Sequence, residues 1–436
     1  MRRAIGRKIK TNTAPMNPTF HAHPGLCIIG YFNIYVIFLG LTRFRIDFVA
    51  QRVVRSRLVA FYVICVNIAT LVFVPISYIY ESIDASSILN NNLETFSETV
   101  NLLINSGAIA ASVLLRGQRE GIHLKIAESI ISLDRRYFSK MCADKSTDHG
   151  ADRLLYFKLF ALSLQLVAPL YNSFSAVDEV VISEVLQTFY YSYLQSILAA
   201  THSMYFYFMW LLHKRFCLLN GKIKDLLHQL QQMPMRGERC EVDILAQRQL
   251  DATEALLEIS QIHTDLSRLL VRLNVDYEKQ ILAVLLANLI DSISFGYYLT
   301  LAMDGSVDWE FDFDALLFCS YAAILFVDLN LVYWISDMAM AGHNKMAQII
   351  CQLQILPPLG DVFEQECEVF VLLLQQRKMD IRVAGMFRLN RQSALGLWIF
   401  VLTQVIIFKQ FDLESQLRKS KENPLLERFN QFFRIE

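Results

Sequence analysis

The chain has 436 residues, of which 54% are apolar and only 19% charged, with a mean hydropathy of +0.33. Soluble domains run nearer a quarter charged, so this balance excludes a string of ordinary soluble domains and points to an all-α bundle in a bilayer. The net charge of −1 selects no partner; the placement of the charges along the chain is what informs.

Residues 1–57 form a segment with a basic start (Arg2, Arg3, Arg7, Lys8, Lys10). It resembles the front of a signal peptide, but the apolar run near Cys27 begins late and no small-residue cleavage site follows, so retention is expected. A spanning helix needs about 20 apolar residues. Seven segments qualify: Leu58–Tyr80, Thr99–Leu115, Leu154–Phe174, Val185–Leu212, Ile281–Met303, Ala315–Ser336 and Ser393–Phe411. The run Leu26–Leu41 is shorter and contains Gly30, Asn33 and Gly40.

Basic residues set the orientation. The loops Glu81–Glu98, Ser175–Glu184 and Asp304–Asp314 contain no Lys or Arg, whereas Arg116–Arg153 holds eight, His213–Lys279 ten and Asp337–Arg391 six. This alternation predicts seven transmembrane helices with the N-terminus cytoplasmic and the C-terminus extracellular. Were residues 26–41 to span, Arg43, Arg45, Arg52, Arg55 and Arg57 would lie outside, so that run is read as a re-entrant or interfacial helix. The expected division is 1–57 N-terminal segment, 58–212 helices one to four with loop 116–153, 213–280 cytoplasmic helical loop, 281–336 helices five and six, 337–391 cytoplasmic helical loop, 392–411 helix seven and 412–436 extracellular tail.

The cytoplasmic loops show helical spacing: Leu219, Ile223, Leu226, Leu227 and Leu230, then Leu250, Leu256, Leu257, Ile262, Leu266, Leu269 and Leu273. Breaks fall at Met233–Gly237 and Pro357–Gly360. Helices four to seven, prolonged into the cytoplasm, are expected to build a shared assembly domain. None of the eight cysteines falls in an exterior loop, so no extracellular disulfide is expected, and no Asn-x-Ser/Thr acceptor occurs.

No catalytic fingerprint, cofactor motif or metal spacing appears, and the basic loops read as topology signals rather than nucleic-acid contacts. An enzyme is not expected, and neither is a cofactor. Ionisable residues within spans are costly unless paired or wet. Lys158 is read as snorkelling to the interface and His202 as a hydrogen-bonded interior histidine. Asp291 either lines a water-filled pocket or bonds a neighbouring helix, and Asp328 stands open between the same two roles. The aromatics of the outer halves, including Tyr190, Tyr297, Tyr298 and Tyr321, form either an interfacial belt or an outward-opening pocket above Asp291 for small amphipathic or cationic ligands.

The last span carries the most specific pattern. Phe387-x-Leu389-Asn390-Arg391 leads into it, and it closes on Thr403, Gln404, five mostly apolar residues, then Gln410-Phe411. This resembles the insect gustatory receptor family, whose final helix ends in Thr-Tyr, five such residues, then Gln-Phe; Gln404 departs from the Tyr, and residues 412–436 extend beyond the usual end. Leu39-Gly40-Leu41 followed by Phe44 is a second echo. The resemblance implies a ligand-gated, non-selective cation channel for small contact chemicals, bitter by default, in the plasma membrane of sensory dendrites. It also implies a homo- or heterotetramer with the last helix lining the pore. Thr403, Ile407 and Gln410 share a helical face; Ile407 would form a hydrophobic gate, with Gln410 and Phe411 beyond it. A G-protein-coupled receptor requires the opposite orientation and its motifs are absent; a transporter is disfavoured by the odd helix count.

Overall fold

The computed structural model describes residues 24–47, 50, 52–84, 93–138, 149–175, 182–232, 242–304, 313–353, 361–377 and 379–433. Most of the three acidic loops expected on the outside, the basic start of the chain and both expected loop breaks lie outside these residues.

The first helix, α1 (Pro24–Phe38), has 15 residues. At 1.5 Å per residue it covers roughly 22 Å, short of the ~30 Å hydrocarbon core. It buries Ile29, Phe32 and Val36 and exposes Tyr31, Ile34 and Phe38. Gly40 ends it in the left-handed region at φ 76°; a Cβ there would also lie 2.9 Å from Val66 Cγ1, so only glycine fits. A two-stranded antiparallel ribbon follows, β1 (Phe44–Asp47) and β2 (Arg52–Arg55), with Phe44 opposite Arg55. Arg43–Glu120 at 2.9 Å and Arg55–Glu128 at 3.5 Å tie this ribbon to the long helix of residues 93–133.

Seven long helices carry the predicted spans: α2 (Arg57–Asp84), α3 (Leu93–Leu133), α4 (His149–Ser175), α5 (Ile182–Gln231), α6 (Val242–Met303), α7 (Phe313–Leu353) and α9 (Arg391–Phe433). Among the described residues, α2, α3, α6, α7 and α9 are long and apolar enough to cross a bilayer by a strict window. The fold is therefore the helical membrane bundle expected from the hydropathy.

Several helices overrun their spans because the apolar period continues beyond the lipid-length segment. The 62 residues of α6 extend roughly 93 Å. Its lower half buries Leu256, Ile259, Ile262, Leu266, Leu269 and Leu273 against Leu219, Ile223 and Leu227 of α5. The amphipathic α8 (Asp361–Gln376) closes this lower bundle with Phe363, Cys367, Phe370 and Leu374. Burial, with Cys351 and Glu368 adding to it, pushes the Cys367 thiol up to about 11, so it packs as an inert hydrophobe. Leu250 and Leu257, part of the same apolar spacing, face outward at 53% and 45% exposure. They stand seven residues apart, and both are left exposed by the described residues.

The short strands β3 (Arg382–Val383) and β4 (Phe387–Arg388) form a turn with Ala384 and Gly385 at positive φ. The turn delivers the chain into α9, where Asn390 Oδ1 caps the helix by accepting from Ser393 N at 2.8 Å. The helix α9 then runs unbroken for 43 residues, so residues 412–433, expected only as a tail, prolong it.

Candidate ligand pocket and pore helix

In α6 the Asp291 carboxylate faces α3, where Asn105 Nδ2 donates to it at 2.8 Å and to Asn101 Oδ1 at 2.6 Å. Of the two roles open to Asp291, the bond to a neighbouring helix is thus present. Asn101 also hydrogen-bonds the carboxylate; a carboxylate offers about four lone-pair sites, so two amide donors still leave it with acceptor capacity. Tyr321 of α7 lies within electrostatic reach of the same carboxylate. Tyr298, seven residues and almost two turns on, shares its face about 10 Å nearer the end of α6.

Tyr297 is turned away from this group. It is 2% exposed, and its ring meets Phe408 of α9 edge-on at 6.1 Å and Tyr298 at 6.2 Å. Tyr190 of α5 packs against the main core near Tyr193, whose hydroxyl donates to Leu39 O at 3.2 Å and lies 3.1 Å from Thr70 Oγ1. The structure therefore brings Asp291 and Tyr321 together, adds Asn101 and Asn105, and assigns Tyr297 to the contact with the last helix. The two asparagines were readable as an i, i+4 polar pair inside an apolar span, a pattern seldom left without a partner.

Lys158 does not snorkel. Its side chain is 0% exposed, with Nζ 2.5 Å from Asp328 Oδ1 and 3.2 Å from His202 Nδ1, while His202 Nδ1 lies 3.0 Å from Asp328 Oδ2. Partners from α5 and α7 meet the ammonium inside the bundle, so it has no need to reach the interface. This resolves Asp328 as a structural ion-pair residue and places His202 in the hydrogen-bonded interior role expected of it.

Among the described residues, helix α9 is held along one side. Val401 and Val405 pack with Ile293 and Leu289 of α6. Gly296 permits that approach: a Cβ there would lie 2.7 Å from Val405 Cγ2. Trp398 stacks on Phe326 at 4.0 Å and donates to Asn330 Oδ1 at 3.3 Å, joining α9 to α7. Arg391 pairs with Asp337 at 3.3 Å below, and Lys409 pairs with Asp304 above. Lys409 is thus turned onto a neighbouring helix.

The opposite side of α9 is bare: Leu395, Ile399, Leu402, Ile406, Leu413 and Leu417 are 48–63% exposed. Thr403 and Gln410 flank this stripe and are exposed, Phe411 is 58% exposed, and Ile407 is half-buried. The exposed isoleucine at the centre of the stripe is Ile406, one residue before the expected gate.

Gly296→Ala is expected to force α9 outward at a cost of about 1–3 kcal/mol, read as a lower melting temperature of the purified protein. Adding Val405→Ala removes the obstructing methyls and should restore it; no rescue would mean that the close approach is unimportant.

A family model described as 7tm chemosensory receptor matches residues 30–415. The chain belongs to this family. This chemosensory receptor is similar to the putative gustatory receptor 58b of Drosophila melanogaster, with 31% identity over 80 residues, 18% of this chain and 20% of that one. It is also similar to the putative gustatory receptor 9a of the same fly, with 30% identity over 94 residues, 21% of this chain and 28% of that one. These matches span only about a fifth to a quarter of each relative. In structure the receptor is similar to the insect olfactory receptor OR5 from Machilis hrabei, solved in complex with eugenol. The TM-score is 0.57 at 12% identity, covering 88% of this chain and 98% of that one. The same olfactory receptor solved without that ligand gives a TM-score of 0.55. The family is one of receptors and not of enzymes, as the sequence led us to expect.

Proposed function

We propose that this receptor is one subunit of a tetrameric, ligand-gated, non-selective cation channel for small contact chemicals, bitter compounds by default. It acts in the plasma membrane of sensory dendrites, with the N-terminus cytoplasmic and the C-terminus outside. The observation that carries the reading is the bare apolar stripe of α9. A helix fastened on one side to α6 and α7 by Gly296–Val405, Trp398–Asn330 and Lys409–Asp304 leaves a face suited to line a central pore among copies. The exposed Leu250, Leu257, Val362 and Val369 of the lower bundle, in seven-residue pairs, suit the same subunit contact.

In this reading a small molecule enters from outside among α3, α6 and α7 and meets Asp291, Tyr298 and Tyr321. Tyr297, on the next face of α6, passes the change to Phe408. Ligand favours opening only through higher affinity for the open arrangement. Thr403, Ile406 or Ile407, Gln410 and Phe411 line the pore in order toward the outside. The test is voltage clamp of cells expressing the receptor, alone and with related subunits. Asp291→Asn should shift the dose-response for a cationic agonist at least about tenfold, the scale of losing one charge-assisted hydrogen bond. An unchanged dose-response would remove Asp291 from the ligand set. Epitope tags at Met1 and Glu436 test the orientation in intact cells; an antibody reaching only the first would overturn it.

A further inference from the structure

Below the spans, the extensions of α3 and α6 pack side by side, and a groove of about 740 Å3 opens along their seam. Its walls carry Arg119, Arg268, Arg272 and Arg377 against a single carboxylate, Asp276. That carboxylate is buried and engaged, 2.9 Å from His123 Nδ1 and 3.6 Å from Arg119. Arg119 is itself held by the carbonyls of Val275 at 2.9 Å and Asp276 at 3.0 Å. Among the described residues, Arg268 has one exposed ion-pair contact, with Asp265 at 3.5 Å. Arg272 and Arg377 are exposed and have no ion-pair partner among the described residues. Between the cations, Ile122, Val271 and Val275 are 36%, 48% and 56% exposed. The groove thus offers uncompensated guanidinium groups on an apolar floor.

Its depth below the bilayer follows from helix rise. Arg119 lies four residues past Leu115, about 6 Å below the span edge. On α6, Val275, Arg272 and Arg268 lie six, nine and thirteen residues before Ile281, about 9, 14 and 20 Å below it. A headgroup layer is only about 5–7 Å thick on each side of the hydrocarbon, so the two deeper arginines lie beyond the phosphate of an ordinary phospholipid.

We propose that this groove binds a phosphoinositide, an inner-leaflet lipid whose inositol ring carries phosphates well beyond the glycerol. The glycerol phosphate of the lipid lies beside Arg119, about 6 Å below the span edge, and the head group passes down over Val275 and Ile122. The ring lies over Val271, and the outer phosphates meet Arg272 and Arg377. Arginine suits this role because its planar fork bonds phosphate in a bidentate manner. Occupancy would bridge α3, α6 and the segment after α8, and that segment leads through β3 and β4 into α9. Asn274 Nδ2, two residues past Arg272, already donates to Arg382 O in this lead-in at 3.1 Å. Bound lipid would thereby steady the base of the proposed pore helix. The inference rests on the bilayer edge at Leu115 and Ile281 and on those ends facing the cytoplasm, as in the function proposed above. The binding test below needs neither ligand nor current, so either reading fails without the other.

The experiment is fluorescence anisotropy of a labelled dioctanoyl phosphatidylinositol 4,5-bisphosphate with the purified full chain in neutral detergent. Wild type should bind it at least tenfold tighter than labelled dioctanoyl phosphatidylserine. At about one decade or slightly less per arginine, Arg272→Gln/Arg377→Gln should weaken binding ~30-fold, and each single variant about fivefold. Lys224→Gln/Lys345→Gln removes the same charge from exposed sites elsewhere in the lower bundle and should leave the affinity unchanged. Gel-filtration profiles matched to wild type show that the variants are folded. Equal losses in both double variants, or no preference over phosphatidylserine, would overturn the proposal. Displacement by free inositol 1,4,5-trisphosphate at the concentration of the lipid itself would mark a soluble-phosphate site instead. Equally efficient displacement by polyglutamate would mark a surface for an acidic protein.

Discussion

Lys158→Met alone should leave the receptor poorly folded, whereas Lys158→Met combined with Asp328→Leu should recover most of the loss. The pair is buried at 0% and 4% side-chain exposure within the span region. Removing one partner strands the other charge where water cannot reach it, a loss of about 3–5 kcal/mol, while replacing both by apolar groups of similar volume is often neutral or better. His202 shares the Asp328 carboxylate, so Asp328→Leu alone should be as damaging as the lysine variant. Melting curves of fluorescently tagged protein in detergent, together with the fraction reaching the cell surface, read the difference. A single variant as stable as wild type, or a double no better than the singles, would show that the three side chains do not act as a unit.

Ile406→Ser should make the channel leak. A ring of isoleucines closes a pore by excluding water from a narrow apolar neck, and a hydroxyl at that neck lets water and ions remain. A shift of about 1.4 kcal/mol toward the conducting state is a tenfold rise in basal current, measurable without any agonist. Ile407→Ser, at a half-buried position, should change basal current far less. The reverse result would return the gate to Ile407. Lys409→Gln should leave ion selectivity untouched, because the ammonium is engaged by Asp304 and lies 3.6 Å from Asp412. A change in selectivity would place the lysine in the ion path.

These two sites also mark how far the sequence could be read. Spans and lower-bundle helices were legible because hydropathy and period are local properties: Leu58–Tyr80 became α2, and the apolar spacing of 219–273 became the facing sides of α5 and α6. Partners distant in the chain were not. Lys158 and Asp328 are 170 residues apart, and Asp291 and Asn105 are 186 apart, so neither pairing leaves a trace in any window of sequence. Lys158 therefore read as a solvent-seeking side chain and turned out to be the reverse. The gate residue is a different case. Thr403, Ile407 and Gln410 do share a face by period alone, but the outward face of a helix is set by what packs behind it. Here Val401 and Val405 pack against α6, Ile406 is exposed and Ile407 is half-buried. Leu250 and Leu257 carry the same lesson, since apolar period reveals a sticky face without telling whether the partner is in the same chain.

The Lys158–Asp328 pair bears on how the receptor is made. A ribosome feeding this chain into a membrane releases α4 with its lysine long before α7 exists to meet it. Until then α4 carries an unmatched ammonium about 6 Å inside its span, where the cost is below the ~2.5–3.5 kcal/mol found at a helix centre on insertion scales. The helix must therefore wait beside the insertion machinery, or sit shallow with its lysine at the lipid surface, until the aspartate arrives 170 residues later. Truncations ending before Asp328 should then leave α4 extractable or misoriented, while chains ending just after α7 should hold it firmly.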